Sequence, residues 1–448
     1  MQPQRERPRV LLIAEAANPE WSSVPLVGWS HAEALAKVVD AHLVTQVRNR
    51  RAILAAGLEE GRDFTSIDSE AVARTAWRVG EMLRGSKGKG KSWTIVQALS
   101  SVSYYYFEHL VWKQFGRRIK AGEFDVVHRL TPLSPASQSK LAGLCRRAGT
   151  PFVLGPLNGG LPWPKGWGQV RSAEREWLSR ARDAHRLLPA YRSTRRNSAA
   201  ILVGSRAAWD DLPAKYRDKA VYLPENAIDP KRFPTPTPRR ASTPVRLVFM
   251  GRLVPLKCVD VVLEAAAPFL RSGAMTFDIL GDGPQRQELE QLAESEGIAG
   301  AVTFHGMLDH SQLAGVLERS DVLAFPSIHE FGGAVVLEAM AMGVVPMVVD
   351  YGGPGELASP GTGFLVELGD RPALVARYRE LLERIAREPS TIDGLRDAAI
   401  RRARSLFTWD AKARQVLEVY RWVLGQRPDK PDFAMPMPDL QEAGAAAS

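Results

Sequence analysis

Short, nearly unbroken apolar runs recur along this chain, separated by stretches in which apolar positions return at helical spacing. In the first half the runs are Val10–Ile13, Ala41–Thr45, Phe124–His128, Phe152–Gly155 and Ile201–Gly204, with a helical pattern over Ser137–Arg147 among the intervening stretches. In the second half they are Val245–Met250, Phe277–Leu280, Val302–His305, Val322–Phe325 and Val344–Val349. A strand that is apolar on both faces belongs in a parallel sheet covered on both sides. Strand–helix–strand order then requires right-handed crossovers. The pattern predicts an α/β protein with two doubly wound, Rossmann-like domains.

The seam between them is legible. Residues 234–244, Pro-Thr-Pro-Thr-Pro-Arg-Arg-Ala-Ser-Thr-Pro, have no hydrophobic periodicity and read as an extended linker. This gives a first domain over 1–233 and a second over 245–405. A last helix is expected over 406–424, and a disordered tail over 425–448, where four prolines precede an Ala-rich end.

Composition and charge add three constraints. The chain has 448 residues, 45% of them hydrophobic, which excludes global disorder. It has two cysteines, Cys145 and Cys258, too few for a disulfide scaffold or a four-thiolate zinc site and suited to a reducing compartment such as the cytoplasm. No apolar stretch is long enough for a transmembrane helix, and the early run Val10–Ala14 is too short for a signal-peptide core. The net charge of +9 is unevenly spread: residues 1–240 carry 39 basic and 22 acidic side chains, and the rest carry 20 and 28. A basic first half suggests an acidic partner surface or substrate. Two segments there combine aromatic residues with cations: Trp163–Arg196, which holds Trp163, Trp167 and Trp177, and Tyr104–Phe107 through Trp112 to Arg118. Such a combination suits either a peripheral helix on anionic lipid or a core helix with a solvated basic face. No helix–turn–helix, zinc or RNA-recognition signature accompanies the charge, so nucleic acid is not an expected partner.

The candidate chemistry lies in the second half, where strand ends meet loops. After Met250 come Gly251, Arg252 and Lys257, two cations suited to a phosphate. Gly281-Asp-Gly-Pro284 follows the next strand. Pro326-Ser-Ile-His-Glu330-Phe-Gly-Gly-Ala334 leads into a helix expected to start near Gly332-Gly333, where free backbone amides favour an anion. Glu338 lies eight residues beyond Glu330, so the two carboxylates would bracket a diphosphate rather than form a close pair. Asp350-Tyr-Gly-Gly-Pro-Gly-Glu356 is a fourth glycine-rich turn. Taken singly, each has an ordinary structural reading: solvated loop, helix cap, outward-facing glutamate, plain turn.

Taken in order, Gly251-Arg-Leu…Lys257, Gly281-Asp-Gly-Pro284, Glu330…Glu338-Ala-Met-Ala and Gly352-Gly-Pro-Gly-Glu356 resemble the family-4 glycosyltransferases, the "glycosyl transferases group 1". The likeness covers the C-terminal half and extends to Phe407-Thr-Trp-Asp410. It implies a GT-B fold with an interdomain cleft and a C-terminal crossover helix. It also implies retaining transfer from a UDP-, GDP- or ADP-sugar to an acceptor hydroxyl, without a metal or tightly bound cofactor. The acceptor would be a glycan or lipid-linked molecule of polysaccharide or glycolipid synthesis, and an anionic membrane surface would be a further partner.

By the same resemblance, Arg252 and Lys257 bind the diphosphate and Glu330 holds donor-sugar hydroxyls. Phe331, Gly332, Gly333 and Ala334 lie over the phosphates, Glu338 holds the ribose, and Gly306-Met307-Leu308 lies against the base. In the first half the resemblance assigns Gly28 to the donor and places His128, at a strand end, facing donor and acceptor. The string Glu330-Phe-Gly-Gly departs from the commoner Glu-Gly-Phe-Gly. A nucleotide-sugar epimerase or isomerase on the same scaffold is the alternative, and it would need an acid/base pair. A simple dehydrogenase is disfavoured, because no Gly-x-Gly-x-x-Gly follows the first strand.

Overall fold

Each apolar run forms a strand, and every described strand pairing is parallel. The computed structural model describes residues 7–70, 93–173, 186, 189–433 and 435. The first sheet contains β1 (Arg9–Ala14), β2 (Asp40–Gln46), β3 (Phe64–Ile67), β4 (Val126–Thr131), β5 (Phe152–Leu157), β6 (Ala200–Val203) and β7 (Ala220–Tyr222), in the order β3-β2-β1-β4-β5-β6-β7. The second contains β8 (Val245–Met250), β9 (Met275–Leu280), β10 (Val302–Gly306), β11 (Val322–Phe325), β12 (Val345–Val349) and β13 (Phe364–Val366), in the order β10-β9-β8-β11-β12-β13. Both sheets reverse direction after their first strand, so the ligand-binding edges of doubly wound sheets fall at the carboxyl ends of β1/β4 and β8/β11.

The strands missing from the sequence reading are β3, β7 and β13, all at sheet edges. They have three or four residues, too few for a period to show. The helix expected over Ser137–Arg147 begins later, at Leu141. The Ser139 and Lys140 amides donate instead to Thr194 Oγ1 and the Glu108 carboxylate, at 2.9 and 2.7 Å. That helix ends where Gly149 turns left-handed.

The described residues form two compact units, and their boundaries differ from the linear division. Residues 161–173 and 226–233, assigned by sequence to the first domain, pack with the second sheet. The final helix, Trp409–Val423, packs with the first, against the helix Val24–Ala36. The expected disordered tail is ordered at its start, since Pro431 and Met435 are buried. Residues 436–448 lie outside the described residues, as does Trp177.

The linker is not a loose tether. It is pinned to the second unit by Asp321, a fully buried carboxylate at the amino end of β11. Asp321 accepts from Arg239, Ser242, the Arg246 amide and Arg396. Burial alone would raise its pKa, but the hydrogen bonds from Ser242, the Arg246 amide and Arg239 hold it below the usual carboxylate range. Asp321→Ala strands the nearly buried Arg396 guanidinium, so a loss of about 3–5 kcal/mol is expected in chemical denaturation. A loss under about 1 kcal/mol would show that the linker and β11 are not held through this carboxylate.

Candidate functional site

The second unit's candidate residues gather at the carboxyl ends of β8 and β11. After β8 the chain runs through exposed Arg252 to a short 3-10 turn, Pro255–Lys257, and then Cys258 at φ 51° starts the helix Val259–Arg271. A non-glycine residue in that left-handed conformation is disfavoured. The turn leaves Lys257 nearly buried, with its ammonium 4.7 Å from the centre of the Phe325 ring at the end of β11. The Arg252 guanidinium has no hydrogen-bond or ion-pair partner among the described residues.

After β11, the helix Ala334–Ala341 is capped by Gly333 at φ 67°, which no side chain caps. The Glu330 carboxylate pairs with the Lys257 ammonium and lies near the Gly332 and Gly333 amides, which favour its charged form. Burial pushes its pKa up, but Lys257 and the two amides outweigh this and hold it below the usual range. Glu330 therefore stands among the groups expected to hold phosphates, and its carboxylate occupies them.

Neighbouring loops are locked together by close backbone approach. A Cβ on Gly281, at φ 129°, would overlap the Gly251 carbonyl, and one on Gly283 would overlap that of Leu253. The Gly281 amide donates to the Gly306 carbonyl at 2.8 Å, so the turns after β8, β9 and β10 form one ledge. At its far end Gly306 closes β10, Met307 is 77% exposed and Leu308 is partly exposed. On the other side, Gly353 N donates to the Glu330 carbonyl at 3.0 Å, and a side chain on Gly352 would collide with that same carbonyl. This accounts for the Gly-Gly pair in Gly352-Gly-Pro-Gly-Glu356.

Glu338 is partly buried, and no hydrogen-bond partner for its carboxyl is present among the described residues. Burial lifts its pKa to about 7, with Arg232 opposing. It stands one turn into the helix that begins over the Glu330 loop.

Two candidates belong to the first unit, and there the geometry gives each a structural role. His128 is fully buried on β4, not exposed at a strand end. Its Nε2–H donates to the Gly155 carbonyl at 2.7 Å, and its Nδ1 accepts from the Tyr420 hydroxyl at 2.6 Å. Desolvation lowers its pKa to about 3, with the Gly155 hydrogen bond opposing. Both nitrogens are engaged and the ring stays neutral, so it ties β5 and the final helix to β4 and has no site from which to move a proton. Gly28 lies inside the helix Val24–Ala36, where a Cβ would overlap the Ala16 carbonyl; close packing explains the glycine without a ligand.

Of the aromatic segments that suited either lipid or a core, the described aromatic residues pack within the fold. Tyr104 and Phe107 are core residues, and Trp112 packs against that core. Trp167 is 5% exposed and donates to the Gly369 carbonyl at 2.8 Å. Trp163 stacks on His329, with ring centres 4.2 Å apart and planes at 7°. Sequence reasoning missed Trp163, His329 and Tyr351 as neighbours of the site. The signal was the position of His329 in the loop after β11, beside Glu330, and the tyrosine opening the Gly352-Gly353 turn.

The Glu338 carboxyl gives a pH signature. It ionises near 4.5 in the unfolded chain and near 7 in the folded one, so the folded state holds the proton more tightly between those values. Its contribution to stability falls as pH rises from 4.5 to 7 and stays low above. Glu338→Gln removes this penalty, so its advantage over the parent should be near zero at pH 4.5 and reach at most about 3 kcal/mol above pH 7. Urea denaturation across that range measures it, and a pH-independent difference would contradict the assignment.

Comparison with known proteins agrees with this picture. Residues 236–404 match the family described as glycosyl transferases group 1. A glycogen synthase of Mycobacterium tuberculosis is 34% identical over 198 residues, 44% of this chain and 47% of that protein. A D-inositol 3-phosphate glycosyltransferase of Frankia alni is 35% identical over 189 residues, 40% of this chain and 45% of that protein. These matches span about half the length of each relative. A sucrose-phosphate synthase from Thermosynechococcus elongatus superimposes with a TM-score of 0.58 at 18% identity, covering 94% of this chain and all of that one. Anabaena Alr3699/HepE, solved in complex with UDP and glucose, gives 0.54 at 16% identity, covering 92% and 99%. The fold, two parallel Rossmann-like sheets, is GT-B, and the stretch that matches the glycosyl transferases group 1 family, residues 236–404, takes in the whole second sheet.

Proposed function

We propose that the protein is a retaining glycosyltransferase that moves a sugar from a nucleoside-diphosphate sugar to an acceptor hydroxyl. One observation carries the proposal: at the β8/β11 switch point, an ammonium and two backbone amides converge on a single carboxylate, Glu330. That is the donor set an anionic phosphate needs, and Arg252 stands exposed on the β8 loop. In this reading the donor's diphosphate takes over the amides and Lys257. Glu330 turns to the sugar hydroxyls, Glu338 accepts from the ribose, and Met307 lies against the base.

The bond from the anomeric carbon to the diphosphate breaks as the acceptor oxygen bonds to the same face of that carbon. The acceptor's proton leaves with a phosphate oxygen. Negative charge grows on the departing diphosphate, and Lys257, Arg252 and the amide dipoles stabilise it there. His128 takes no part, because both its nitrogens are bonded within the fold. The relatives named above include a glycogen synthase and a D-inositol 3-phosphate glycosyltransferase, which supports a glycan or polyol acceptor.

Arg252→Ala tests this without disturbing a packed residue. With UDP-, GDP- and ADP-sugars screened by thermal shift to find the donor, turnover should fall by about 100-fold or more in Arg252→Ala and in Lys257→Ala. Full turnover in Arg252→Ala, or no thermal shift with any nucleotide of the panel, would overturn the reading.

For the membrane, no described helix is long and apolar enough to cross a bilayer. Most described aromatic residues of the basic first half are packed, with Trp21 45% exposed, so it offers chiefly charge to an anionic cytoplasmic surface. Binding to phosphatidylglycerol vesicles should therefore be lost between 0.05 and 0.5 M salt, ionic strengths of roughly 14 Å and 4 Å screening length. Binding that survives high salt would point instead to an apolar anchor.

A further inference from the structure

Thirteen residues that follow β5 in sequence, 161–173, lie across the second unit and touch three loops of its candidate site. The short helix Gly168–Ala173 packs against Pro255–Lys257, the turn that carries Lys257. Upstream, the Tyr351 hydroxyl donates to the Pro162 carbonyl at 2.6 Å, and burial pushes the tyrosine's pKa to about 12. Leu161 Cδ2 lies 2.8 Å from where a Cβ on Gly352 would stand, so the strap presses on the turn that braces Glu330 from behind.

The closest engagement is at His329, the residue before Glu330. This ring is 4% exposed. Its Nε2 faces the Leu161 carbonyl at 3.1 Å, and a carbonyl only accepts, so Nε2 carries the proton. One face of the ring is covered by the Trp163 indole, 4.2 Å away and nearly parallel. The Phe331 ring meets it edge-on at 5.2 Å. Glu330 thus sits between two residues whose side chains are clamped, and the outer jaw of the clamp comes from the strap.

We propose that Trp163 is a positioning residue: stacked on His329, it fixes the backbone direction from which Glu330 reaches Lys257 and the Gly332 and Gly333 amides. Parallel stacking of this kind contributes beyond area burial and, unlike a purely apolar contact, fixes orientation. Any consequence for donor binding rests on the functional reading above, whereas the effect on Glu330 does not.

The test reads Glu330 directly in the full chain labelled with [5-13C]glutamate, with Glu330→Gln identifying its signal. In the parent the carboxyl should titrate below the ordinary range. In Trp163→Ala, and in Trp163→Leu, which keeps apolar volume but no ring, the midpoint should rise by about one pH unit or more as Glu330 loses its partners. Trp163→Tyr should restore the parent value. In the same variants, affinity for the nucleotide sugar that shifts the parent should fall about tenfold in Trp163→Ala and recover in Trp163→Tyr. An unchanged Glu330 midpoint in a folded Trp163→Leu chain overturns the proposal. If no nucleotide binds the parent, the functional reading fails, while the titration still decides the role of Trp163.

Discussion

A carboxylate taken out of water must be repaid by charge and hydrogen bonds, and the second unit is organised around one such debt. Glu330 is held by an ammonium and two amides that come from different strand ends. Bringing them together requires the sheet to reverse between β8 and β11, because only there do two adjacent strands send their loops apart and leave a crevice. The three-residue turn Pro255–Lys257 and the left-handed cap at Gly333 deliver the groups into it.

Around that centre, backbone approaches backbone. Gly251, Gly281 and Gly283 let the turns after β8 and β9 lie in direct contact, and Gly352 and Gly353 do the same for the turns after β11 and β12. The result is a rigid ledge of main chain. Rigidity matters to any site that works by electrostatics, since dipoles already aimed at a charge need no reorganisation when it develops. The strap over residues 161–173 extends the same logic with side chains, through the Trp163–His329 stack and the Tyr351 hydroxyl.

Buried titratable groups elsewhere serve different ends. Asp321 joins linker, strand and helix through four donors, and His128 joins two strands and the last helix through two hydrogen bonds. Both would look like functional residues by type alone. Glu338 differs, because its carboxyl is partly buried and lacks a hydrogen-bond partner among the described residues. A group whose desolvation is not repaid within the fold is one that a ligand can repay.

The sequence by itself determined the two sheets, since a strand buried on both faces must be apolar at every position, and that pattern needs no knowledge of the neighbours. It also determined which loops carry charge and glycine, and so the region of the candidate site. It did not show the edge strands β3, β7 and β13, too short to display a period. Nor did it show that His128 is sealed or that Trp163 faces His329 rather than lipid. A histidine or tryptophan has the same letter whether its ring meets water, lipid or another ring. Only the tertiary structure, by bringing residues 166 positions apart into a stack, decided which it was.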